Sequence, residues 1–97
     1  MIDQKADKQR RLFDILYWLK SRPNQTADDV WRWWVSDSRR QRVSSDTIAS
    51  DLRRLNGDGF VARSSDVQHG TRTYHFTITQ HGLRVIADKE RGIDAAL

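Results

Sequence analysis

The apolar residues of this chain switch from helical to alternating spacing and back again, and that sequence of periods constrains the fold strongly. As far as Asn56 they recur every three or four positions, over 72–78 they alternate, and over 80–89 the helical spacing returns. In 8–20, Leu12, Ile15, Leu16 and Leu19 lie on one helical face, and Phe13 and Tyr17 widen the stripe. Pro23 disfavours helical geometry at Arg22, so this helix stops there. A second helix opens behind Thr26, whose hydroxyl caps it while Asp28 and Asp29 sit at its positive end. It carries Val30, Trp31, Trp33, Trp34 and Val35, with Trp31 and Trp34 turned to the core, and frays at 36–38. Ser44 or Ser45 caps a third helix over about 46–56, with Ile48, Leu52 and Leu55 inward and Gly57 as its C-terminal cap.

After Gly59 the spacing predicts a strand at 60–64 and a polar loop at 65–71. A second strand follows at 72–78, where Tyr74, Phe76 and Ile78 face one way and Thr73, His75 and Thr77 the other. Thr79 caps a last helix, about 80–89, that turns Leu83, Ile86 and Ala87 inward. The expected class is α+β: a three-helix core, a two- to three-stranded antiparallel hairpin sheet and a C-terminal helix. With 97 residues, one domain over 1–97 is expected, its core spanning about 8–89. That leaves few residues for any separate sensing domain.

Composition narrows the function. There is no Cys, which removes disulfides, thiolate zinc sites and thiol nucleophiles. No apolar stretch is long enough for a membrane-spanning helix, and no signal peptide is evident, so a cytoplasmic protein without a membrane partner is expected. The net charge is +4; 13 of the 17 basic residues are Arg and 12 of the 13 acidic ones Asp. Arg presents a planar fork suited to phosphates and guanine edges. Codon bias also enriches Arg, so charge alone does not decide.

The stretch Val43–Arg63 resembles the winged helix-turn-helix family, through Thr47-Ile48, Asp51-Leu52, Leu55, Gly59 and Arg63. Arg72, Tyr74, Phe76, Ile78-Thr79 and Gly82 are similar to the second wing strand and following helix of the same group, and the likeness spans about 8–89. The resemblance implies a small bacterial or phage transcriptional regulator. Its third helix would enter the major groove of double-stranded DNA, with the wing on the flanking backbone or minor groove. Helical geometry turns Asp46, Ser50, Arg53 and Arg54 away from the inward face, with Thr47 at the flank. The resemblance puts Ser45, Asp46, Thr47 and Ser50 nearest the bases and Arg53 or Arg54 nearer phosphates. Asp46 is repelled by DNA unless it caps the helix or accepts from a cytosine amino group. Arg39, Arg40 and Arg42 precede this helix, where backbone phosphates would lie. Arg63, His69 and Arg72 map to the wing.

Four Trp residues are many for so short a chain. Trp18 and Trp33 fall at the edges of their apolar arcs and are candidates for a homodimer or partner interface. The alternative reading is a winged-helix protein–protein adaptor, or a phage-encoded inhibitor, that works through the Trp-bearing helices without DNA. An RNA-binding version lacks an exposed aromatic pair on the hairpin. His69, His75 and His81 occupy a loop, a strand face and a helix start, which does not suit a three-His metal site. No nucleophile motif or phosphate-binding glycine loop is present. Neither catalysis, metal nor cofactor is expected.

Overall fold

The computed structural model of the protein describes residues 4–94 and 97. Its elements run α1 (Gln4–Leu19), α2 (Ala27–Val35), α3 (Ser45–Gly57), β1 (Val61–Gln68), β2 (Thr71–Ile78) and α4 (Gln80–Glu90). One apolar cluster joins them: Leu12, Ile15, Leu16 and Leu19 of α1 meet Val30 and Trp34 of α2, and Ile48, Leu52 and Leu55 of α3. Phe76 of β2 and Ile86 of α4 close it from the far side. Each fully buried Leu or Ile contributes about 1.5–3 kcal/mol, which places the helix stripes read from the sequence at the centre of the fold.

The helix starts follow the expected chemistry. Thr26 accepts from the Asp29 amide at 3.1 Å and Asp29 accepts from the Thr26 amide at 3.0 Å, a reciprocal capping box. Ser44, rather than Ser45, caps α3, and Thr79 caps α4. The end of α3 differs from expectation. Helical geometry continues through Gly57, Asp58 is the cap, and the left-handed position falls at Gly59, φ +82°. The Phe60 amide donates to the Leu55 carbonyl and that of Gly59 to Asn56, a Schellman ending that brings Phe60 onto Leu55.

Three further boundaries move. α1 begins at Gln4 rather than near position 8, because polar helix formers extend it without any apolar period to betray them. β1 runs to Gln68 rather than 64, and the connection shrinks to His69-Gly70. Both have positive φ, 53° and 78°, as a two-residue type I′ hairpin requires. Ser64 to Gln68 is exposed, so no buried face imposed alternation there. Inward placement holds for Phe76, whereas Tyr74 is 41% exposed and Ala87 faces solvent. Tyr74 lies beyond the point where the hairpin leaves the body.

Two strands make the sheet, and Gln25 between α1 and α2 adds a single bridge to Phe76, bonded in both directions at 3.1 and 2.8 Å. The linker 36–44 is tied back by indoles: Trp34 Nε1 donates to the Gln41 carbonyl at 2.7 Å and half-buried Trp31 Nε1 to that of Val43 at 3.1 Å. These bonds set the turn between α2 and α3. A buried ion pair sets α3 against α1: Arg11 reaches Asp51 through Nε at 2.5 Å and Nη2 at 3.2 Å.

Candidate nucleic-acid interface

The core face of α3 leaves Ser45, Asp46, Ser50 and Arg53 exposed on the opposite side. Thr47 is half-buried at the flank, its hydroxyl 3.1 Å from that of Ser44. Asp46 lies in the first turn, where the helix dipole favours a carboxylate. Arg53 and Arg54, adjacent in sequence, part company. Arg54 leans towards α1, donating to the Leu97 carbonyl at 2.6 Å and lying 3.8 Å from Asp58. Arg53 faces the wing, and its guanidinium has no hydrogen bond or ion pair among the described residues.

Between α3, the start of α2 and the wing lies a groove of about 370 Å³. Arg53 and Ala49 line it from α3, Arg63 from β1, and Arg72, Tyr74 and Phe76 from β2. Three guanidiniums therefore share it. Asp28, the one acid on its rim, is paired with Arg32 at 2.9 Å. Arg72 Nη1 donates to Ser65 Oγ at 3.1 Å, and the Arg63 guanidinium lies 4.5 Å from the Tyr74 ring centre. His69 sits at the exposed hairpin tip.

The three arginines before α3 have different surroundings. Arg42 is exposed and makes no ion pair or side-chain hydrogen bond among the described residues. Arg39 grips Asp37 with Nε at 3.1 Å and Nη2 at 3.0 Å. Those bonds hold the Asp37 carboxyl down at about 2 and raise the Arg39 pKa. Arg40 donates to the Trp33 carbonyl at 2.8 Å and covers the Trp33 ring at 4.2 Å, so it closes the C-terminal end of α2.

Trp18 and Trp33 meet each other. Their rings stack at 5.0 Å and 14°, with Arg22 5.2 Å from Trp18 on one flank and Arg40 against Trp33 on the other. Both indoles are half-buried. The sequence marked them as edge residues without indicating that they pair. It also missed the Arg11–Asp51 pair and the exposed Tyr74; a carboxylate on the inward arc of α3 was the available signal for the pair. His81 stacks on Phe60 at 4.6 Å, and no group of three potential metal ligands occurs among the described residues. No described helix is long and apolar enough to cross a membrane.

Three helices followed by an antiparallel hairpin and a closing helix, with the third helix exposed beside the hairpin, define a winged helix-turn-helix fold. Solved structures similar to it include transcriptional regulators of the PadR type. A PadR family regulator from Eggerthella lenta is 18% identical with a TM-score of 0.71, over 84% of this chain and 69% of that one. The TA0346 protein of Thermoplasma acidophilum is 19% identical with a TM-score of 0.77, over 96% of this chain and 86% of its own. Bacillus subtilis PadR, solved in complex with operator DNA, is 17% identical with a TM-score of 0.70, over 81% of this chain and 45% of that one. No protein-family model matches the sequence, and no curated protein does.

Proposed function

We propose that the protein is a cytoplasmic, non-enzymatic transcriptional regulator that binds double-stranded DNA sequence-specifically. The observation that carries this reading is the groove in which Arg53, Arg63 and Arg72 converge beside the exposed face of α3. Cations with unneutralised charge on both walls suit a phosphate backbone, while a helix of this diameter suits the major groove. Ser45, Asp46, Thr47 and Ser50 then face base edges, Arg42 and Arg53 phosphates, and Arg63, His69 and Arg72 the flanking backbone or minor groove. Arg39 and Arg40 lie at the same linker but are engaged by Asp37 and by the end of α2, so they contribute less than Arg42. That a PadR neighbour of the same fold was solved in complex with operator DNA supports a DNA-binding reading.

Homodimerisation completes the proposal, with Trp18 and Trp33 as the candidate surface. A two-fold dimer reads an inverted repeat whose half-sites lie about 10 bp apart or a multiple of that. Selection from a random duplex pool tests both parts together. Enrichment of an inverted repeat is the expected result; a pool that never departs from random refutes sequence-specific recognition. Arg53→Ala should weaken binding about tenfold, the loss of roughly 1.4 kcal/mol from one charge-assisted contact. Arg54→Ala, whose guanidinium is turned to Leu97, should change it less.

A further inference from the structure

The strand register sets Arg63 opposite Phe76 and Ser65 opposite Tyr74, so these four residues and Arg72 share the groove face of the wing. Along that face the environment changes from the buried Phe76, 5% exposed, to Tyr74 at 41%. A Tyr at a body-distal position of an exposed hairpin has little to pack against. What it does meet is Arg63, diagonal to it across the strands, with the guanidinium over its ring at 4.5 Å. Among the described residues the Arg63 guanidinium has no hydrogen bond or ion pair, and the Tyr74 hydroxyl has no hydrogen-bond partner.

A π face fixes a cation differently from a carboxylate. Asp37 occupies Arg39's donors and cancels its charge, whereas the Tyr74 ring leaves the Arg63 N–H groups and its charge available. Ser65 treats Arg72 in the same way: a neutral hydroxyl takes one donor and orients the rest. Both wing cations are thus held by neutral neighbours on the wall facing Arg53. We infer that Tyr74 is a positioning residue for nucleic-acid phosphate, holding the Arg63 guanidinium over the groove without neutralising it. This inference rests on the DNA-binding reading above.

The test uses the full chain, random duplex DNA and fluorescence anisotropy between about 50 and 200 mM salt. Arg63→Ala should reduce the log–log salt slope by about one, since each neutralised phosphate contributes about 0.9. Tyr74→Ala should weaken binding about two- to fivefold, the range supported by an exposed cation–π contact, with the slope unchanged because the cation remains. Tyr74→Phe should bind as the parent does. Adding Tyr74→Ala to Arg63→Ala should cost nothing further. In the free protein the Arg63 Nε proton should be shifted upfield by the ring, and should return in Tyr74→Ala. Full affinity in Tyr74→Ala overturns the inference, as does a loss in Tyr74→Phe or an equal loss on the Arg63→Ala background. If the parent fails to bind duplex DNA at the lowest salt, the underlying reading fails with it.

Discussion

Asp51 is the residue whose removal should reveal most about how α3 is held. It is 2% exposed, and its partner Arg11 is 8% exposed and comes from α1, 40 positions earlier. Truncation in Asp51→Ala leaves a buried guanidinium with two donors unmatched. Breaking a buried pair in this one-sided way costs about 3–5 kcal/mol, set against a total stability of roughly 5–15 kcal/mol for a small domain. For a chain of this size each kcal/mol moves Tm by about 4–8 °C, so Tm should fall by about 12 °C or more. Arg11→Met leaves the carboxylate orphaned and should cost a similar amount. Arg11→Met with Asp51→Leu removes both charges and should recover much of the loss, because the apolar substitute carries no desolvation penalty. Thermal unfolding followed by circular dichroism, with a double-mutant cycle, measures all three. A Tm shift below about 3 °C for Asp51→Ala, or strictly additive losses in the double variant, would show that the pair does not hold α3 in this way.

Gly82→Ala sets two effects against each other. Helix propensity favours Ala by about 1 kcal/mol, but the new Cβ would lie 2.3 Å from the Phe60 carbonyl oxygen and 2.7 Å from Ile78 Cγ1. Sterics against backbone should win by about 1–3 kcal/mol; a Tm equal to or above the parent's would contradict this. Asp37 should titrate near 2 by carboxyl NMR, and Arg39→Ala should return it towards 3.8. Because the folded value is depressed, the stabilising contribution is complete above about 3.8 and disappears as pH falls through about 2. Trp33→Ala removes the stack with Trp18 and should lower both Tm and the mass measured by light scattering. A stable variant of unchanged mass would exclude Trp33 from the dimer surface.

Much of this fold was legible because its three core helices bury narrow stripes. Leu12, Leu16, Ile48 and Leu52 sit where a 3.6-residue period puts them, and Thr26, Ser44 and Thr79 cap through local chemistry alone. Legibility declined where the chain leaves the body. Ser64–Gln68 lacks a buried side, so its strand is set by pairing with β2 rather than by its own pattern. Gly57 looked like the helix stop, but the left-handed position falls at Gly59, where the Schellman ending brings Phe60 onto Leu55. Within the candidate site, the outward face of α3 followed from helical geometry, but the direction of each guanidinium did not. Arg53 and Arg54 differ by 100° about one axis, and that angle sends one to the wing and the other to Leu97. Arg39, Arg40 and Arg42 read as one basic run, while Asp37 and the end of α2 engage the first two.

Whether the Arg-lined face beside α3 binds the DNA backbone is decided by the salt dependence of the unmodified protein's affinity for random duplex DNA. Arg42, Arg53, Arg63 and Arg72, each contributing about 0.9, predict a log–log slope of about −4 per subunit between roughly 50 and 200 mM salt. A slope near zero, or no binding even at about 50 mM, would contradict the account and leave those arginines as a solvated surface.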